Sequence, residues 1–60
     1  MENENHLEVG TAVEKHTGDY KFIGLIVSRF VKRSGKVRYV VENSDGVLHI
    51  FSRNQLRTLR

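Results

Sequence analysis

The sequence has no cysteine, no proline and no tryptophan, a single methionine, and few aromatic residues, namely Tyr20, Phe22, Phe30, Tyr39 and Phe51. Without cysteine no disulfide can brace the 60-residue chain, and no Cys2His2-type pattern offers a structural zinc. No apolar run is longer than Leu25-Ile26-Val27, far below the roughly 20 residues a membrane-spanning helix needs. Met1-Glu2-Asn3-Glu4-Asn5 lacks both a basic region and an apolar stretch, so no signal peptide is expected. The expected location is cytoplasmic, in keeping with the missing cysteine. A domain this small buries only about 60% of the surface its unfolded chain exposes. With the usual staples absent, self-association is the remaining route to added stability, and a homo-oligomer, dimer or tetramer, is expected.

What is present is charge, unevenly spread behind a formal net of +3. Residues 1–19 carry Glu2, Glu4, Glu8, Glu14 and Asp19 against Lys15 alone. The remainder carries Lys21, Arg29, Lys32, Arg33, Lys36, Arg38, Arg53, Arg57 and Arg60 against Glu42 and Asp45. So basic a folded part favours anionic partners, small molecules or nucleic acid, although any one of these side chains also serves as ordinary solubilising charge.

Along the chain, residues 1–8 read as a polar, aperiodic tail and residues 9–60 as one domain. Thr11 to Lys15 predicts a short strand, and His16-Thr17-Gly18-Asp19 has turn chemistry. Phe22 to Lys32 predicts a long strand in which Gly24 allows a bend or a close backbone approach. Ser34-Gly35 closes a hairpin onto Lys36 to Asn43, whose alternation places Val37, Tyr39 and Val41 on the buried face. Asn43-Ser44-Asp45-Gly46 supplies a second hairpin turn before a strand from Val47 to Phe51. Ser52-Arg53-Asn54 suits a 3₁₀ turn ahead of a last strand, Gln55 to Leu59. Short strands, Gly-marked turns and no convincing helix predict an all-β fold, a small five-stranded SH3-like barrel.

The run Leu48-His49-Ile50-Phe51 carries most of the functional argument. Strand alternation puts His49 and Phe51 on one face and Leu48 and Ile50 on the other. The expectation is that Leu48 and Ile50 complete the core, while His49 and Phe51, with Phe22, face outward onto a self-association surface.

On these residues the chain resembles the plasmid-encoded, trimethoprim-resistant type II dihydrofolate reductases, whose Val-Gln-Ile-Tyr motif stands where this chain has Leu48-His49-Ile50-Phe51. The similarity covers about Gly10 to Leu59. Gly10, Val13, Lys15 and Gly18 match the family's spacing, Phe22 lies where the family has an interface Trp, and Gly24, Ile26 and Val27 match a Gly-Gln-Ile-Val stretch. Tyr39, Val41 and Glu42, then Gly46, Ile50 and Leu56, match the remaining segments. The resemblance implies a homotetramer around one pore in which NADPH and dihydrofolate meet, with catalysis by positioning and exclusion of water. It implies that Lys15 attracts the cofactor's phosphates and the folate carboxylates, and that His49, backbone groups of Ile50, and Phe51 stand where the nicotinamide and pteridine rings meet, so that Lys15, His49 and Ile50 bind the cofactor. Two positions depart. His49 replaces an amide that offers two donors and an acceptor, and Phe51 replaces a ring that carries a hydroxyl.

Three functions follow. The leading one is a self-associating barrel that binds an anionic or aromatic ligand without being tuned for the reductase reaction. The second is an NADPH-dependent dihydrofolate reductase acting in a shared pore. The third is a nucleic-acid-binding barrel using the basic hairpin of Arg29, Lys32, Arg33, Lys36 and Arg38 near Phe30 and Tyr39, although alternation puts Phe30 on the face opposite Arg29 and Tyr39 is better used in the core. His6, His16 and His49 are not spaced as a metal centre, so no metal is expected. Each site residue also has a plain reading: Lys15 as an exposed lysine of a turn-flanking strand, His49 as a packing or hydrogen-bonding residue, and Phe22 and Phe51 as core or interface aromatics.

Overall fold

The structure is a computed structural model that describes residues 7–59. Five antiparallel strands form one sheet: β1 (Ala12–Lys15), β2 (Phe22–Val31), β3 (Val37–Glu42), β4 (Leu48–Ser52) and β5 (Leu56–Thr58), with a 3₁₀ turn at Arg53–Gln55. The all-β expectation holds, and each predicted strand lies within a residue or two of its expected place.

Two hairpins share one construction. Lys32 N donates to Lys36 O and Gly35 N to Lys32 O, each at 2.8 Å, while Asn43 N donates to Val47 O and Gly46 N to Asn43 O, each at 3.0 Å. Each loop therefore has three residues and ends in a glycine with positive φ, 91° at Gly35 and 81° at Gly46. A turn followed by a left-handed glycine matches the twist of the flanking strands. At Gly24 the need is different. A Cβ there would collide with the carbonyl of Glu42, so a bare backbone lets β2 and β3 approach.

The strand order is β4-β3-β2-β1-β5, so the sheet's two edge strands are consecutive in sequence. Laid flat, five strands would hold their outer members about 19 Å apart, whereas three residues of 3₁₀ helix cover about 6 Å. The sheet must curl to let Arg53–Gln55 join β4 to β5, and the curl gives it an inside and an outside. Ser52 N donates to Gln55 Oε1 at 2.9 Å, which fixes the turn that makes the connection.

The inside is filled by Val13, Phe22, Ile26, Tyr39, Val41, Phe51 and Leu56, one or two from every strand. Leu7 closes the core from the amino-terminal side, and its N–H donates to the Tyr39 hydroxyl at 3.2 Å. Leu7 thus belongs to the core, not to the tail in which it was expected; residues 1–6 of that tail lie outside the described residues.

The faces of β4 are the reverse of expectation. Phe51 is 3% exposed, whereas Leu48 and Ile50 are 56% and 59% exposed. Register is the cause: Phe51 pairs with Tyr39 and His49 with Val41, so they share the buried face of β3, while Ile50 pairs with Val40 and Leu48 with Glu42. A second surprise lies in β2, where Ile26 pairs with Val41 but Ser28 with Val40. Val27 is the extra residue of a bulge that inverts the alternation beyond it. Phe22 and Ile26 point inward before the bulge, and Phe30 lies opposite Arg38 on the outside after it.

On the outer surface of β1, Glu14 accepts from Arg57 Nε at 3.1 Å and lies 3.6 Å from Lys21 Nζ. The Arg57 hydrogen bond holds its carboxyl below the ordinary carboxylate value; burial opposes the shift, and the charges of Arg57 and Lys21 reinforce it. A lowered folded-state value contributes stability in full above the unfolded value, and this is lost as pH falls through the folded one. Acid titration of stability is therefore expected to be shallower in Glu14→Gln below the ordinary carboxylate value, and identical acid profiles for the two proteins would contradict the assignment. Denaturant unfolding checks the face reversal. Phe51→Ala should cost about 3–5 kcal/mol, with Ile50→Ala far milder; the opposite ranking would contradict the register.

Candidate functional site

The residues singled out from the sequence do not assemble on one open surface. Lys15 is 4% exposed, at the end of β1 on the core side of the sheet. Its ammonium donates to Thr17 O and to Tyr20 O, the latter at 2.9 Å, and lies 3.9 Å from the centre of the Tyr20 ring. These contacts tie the segment between β1 and β2 back onto the strand that precedes it. A lysine used in this way is a loop anchor.

Next to it stands a group of rings. The half-buried His49 imidazole stacks on Phe22 with centroids 4.3 Å apart and planes 14° apart, and Phe51 lies 5.8 Å from it at 49°. The Tyr20 hydroxyl and His49 Nδ1 are 3.3 Å apart, and the Tyr20 ring meets the imidazole edge-on at 6.1 Å. Tyr20, read from sequence only as the end of a turn, thus bridges Lys15 and His49. The hydrogen bond and ring contacts of this group join Phe22, Phe51, His49 and Tyr20 to one another, with Lys15 against the Tyr20 ring. Phe22 and Phe51, expected at an interface, are interior packing residues of their own chain.

Ile50 faces away from His49 and Phe51. Within one chain Lys15 is engaged by its own loop, Phe51 is buried and Ile50 lies on the other face, so these side chains do not share one open surface. No group of three or more metal-ligating side chains occurs among the described residues, and no helix there is long and apolar enough to cross a membrane.

The open chemistry is on the outer face of β2, β3 and β4. Cross-strand register arranges it in rows: Leu25, Glu42 and Leu48; Ser28, Val40 and Ile50; Phe30, Arg38 and Ser52. The hairpin bond between Lys32 and Lys36 adds those two side chains beyond the third row. One end of the face is apolar and the other cationic. Glu42 stands between Leu25 and Leu48 as the one carboxylate of these rows, with a carboxylate oxygen near the turn at Gly46.

At the cationic end a cleft of about 600 Å³ is lined by Lys36, Val37, Arg38, Ser52, Arg53 and Asn54. Arg38 donates to Val37 O at 3.0 Å, Arg53 donates to Leu56 O at 2.8 Å, and the Ser52 hydroxyl donates to Asn54 Oδ1 at 2.7 Å. The lining contains three cations and no carboxylate. Of the basic hairpin, Lys36 and Arg38 reach this cleft, whereas Arg29 pairs with Tyr39 on the other face and donates to Leu7 O. Arg53, Ser52 and Asn54 were not anticipated as site residues. The Ser52-x-x-Gln55 pattern was a legible sign of the turn that brings them there.

Compared with models of known protein families, with curated proteins and with solved structures, the chain matches none.

Lys15→Met should lower stability by about 1–3 kcal/mol in denaturant unfolding, because the Thr17 and Tyr20 carbonyls lose their donor. Affinity for polyphosphate, an all-purpose probe of cationic sites, should be unchanged. Lost polyphosphate binding with stability intact would make Lys15 a ligand residue instead.

Proposed function

We propose that this chain is a self-associating SH3-like barrel that acts as a binding module for anionic ligands, the apolar half of its outer sheet face meeting a second copy and the cationic half taking the ligand. One observation carries the reading: the outer face of β2, β3 and β4 is divided into an apolar end, with Leu25, Leu48 and Ile50 at least half exposed, and a cationic end at Lys36, Arg38 and Arg53. Exposed apolar side chains scattered singly are ordinary, but neighbours in adjacent rows of one sheet form a patch.

A second copy is the partner that suits the patch. The chain has neither disulfide nor structural metal pattern to supplement a small core. Two cationic ends repel, so a two-fold pairing that overlaps the apolar ends and directs the basic ends apart satisfies hydrophobic and electrostatic terms together. A stable interface covers about 800 Å² per partner, nearly a fifth of the 4345 Å² surface. Ile23, Leu25, Val40, Leu48 and Ile50, all apolar and on neighbouring strands, would form the centre of such an interface, with the polar side chains around them supplying the rest of its area.

The resemblance to type II dihydrofolate reductases supports the small-barrel reading, whereas the pairing proposed here uses the sheet face opposite to the one that the resemblance implied. No observation favours NADPH-dependent reduction over binding: Lys15 is engaged by carbonyls of its own loop and Phe51 is buried.

Light scattering across a dilution series tests the assembly. The unaltered chain should be a dimer or larger at micromolar concentration, and Leu48→Lys with Ile50→Glu should give a folded monomer. A monomer at every concentration, or no change of size in the double variant, would overturn the reading.

A further inference from the structure

We infer that the cleft formed by Lys36, Arg38 and Arg53 is a binding site for single-stranded nucleic acid, in which the cations hold the sugar-phosphate chain and the exposed ring of Phe30 stacks a base. The inference rests on the binding-module reading and names its ligand class.

Two features of the outer face point there. The first is uncompensated like charge. Lys32 stands opposite Lys36 across the hairpin, and Arg38 is the next outward residue on β3. Like charges directly across a strand pair are destabilising, and no carboxylate of the described residues forms an ion pair with any of the three. A polyanion removes that repulsion and releases its own counterions on binding. Ser52 and Asn54, in the same cleft, add a hydroxyl and an amide of the kind that complements phosphate and sugar oxygens.

The second is the place of Phe30. The bulge at Val27 moves Phe30 from the inward to the outward face and sets it directly opposite Arg38, which lines the cleft. Side chains opposite each other on one face have Cβ atoms about 5 Å apart, so a phosphate held by Arg38 places its nucleotide's base within reach of the Phe30 ring. Phe30 is 40% exposed, and a base that has left its own stack would pack on its ring. A polyglutamate-like peptide would use the cations and stack nothing on the ring, and a duplex keeps its bases stacked internally. A single strand uses both parts, with sequence tolerance, because every base has a π-face.

Fluorescence anisotropy of a labelled oligothymidylate with the full chain tests this, with duplex DNA, inorganic polyphosphate and polyglutamate as competitors. The oligonucleotide should bind at about 50 mM salt and weaken steeply by about 200 mM. Lys36→Ala with Arg38→Ala should weaken it at least about tenfold and flatten the salt dependence. Phe30→Leu should weaken the oligonucleotide about 5- to 100-fold while leaving polyphosphate affinity unchanged, with Phe30→Trp restoring binding. Circular dichroism confirms that each variant is folded. Polyphosphate competing as well as the single strand, with Phe30→Leu silent, would overturn the nucleic-acid inference and leave the anion-binding reading in place. Tighter binding of duplex or of polyglutamate would also overturn it. No binding of any of these anions at low salt would overturn both.

Discussion

The short link between the two edge strands is the constraint from which the rest of the molecule follows. Arg53–Gln55 must carry the chain from β4 to β5 across a gap that a flat sheet would make several times too wide. The resulting curl decides which side chains meet one another. Phe22, Tyr39, Phe51 and Leu56 converge inside, His49 is drawn over Phe22 at the margin, and Leu25, Leu48 and Ile50 remain outside. The same link delivers Arg53 and Asn54 to the cationic cleft.

Much of the fold was legible in the sequence because its signals are local. The hairpin glycines, the alternation through Val37, Tyr39 and Val41, and the turn after β4 depend on a few neighbouring residues each. The face of β4 was a different problem, since Leu48 and Ile50 are as apolar as His49 and Phe51 are ring-bearing, and period-two alternation cannot say which pair is inside. The arbiter was pairing. Once Asn43 and Val47 close a three-residue loop, counting back along both strands sets Phe51 against Tyr39, whose burial alternation had already indicated. Applied to its end, that count would have corrected the resemblance-led assignment of Phe51 to an outer surface.

The candidate site was less legible, for three physical reasons. A bulge at Val27 shifts one strand by a residue and leaves no mark in composition, so Phe30 and Arg38 could not be placed side by side from alternation alone. The burial of Lys15 depends on a loop folding back so that two carbonyls and the Tyr20 ring surround the ammonium. Arg53 reaches its neighbours through the three-dimensional path of the 3₁₀ turn. The residues that sequence reasoning emphasised at the ring cluster pack against the inner face of the sheet, while the chemistry available to a partner lies on the opposite face, sorted into apolar and cationic ends.

The central claim is that sorting of faces, and isotope-filtered NOE spectroscopy on a mixture of labelled and unlabelled protein tests it most directly. The account predicts contacts between copies at the methyl groups of Leu48 and Ile50, and contacts from the His49 imidazole to Phe22 within one copy only. Contacts between copies arising from the rings of His49 and Phe51, with Ile50 contacting only its own chain's interior, would contradict it.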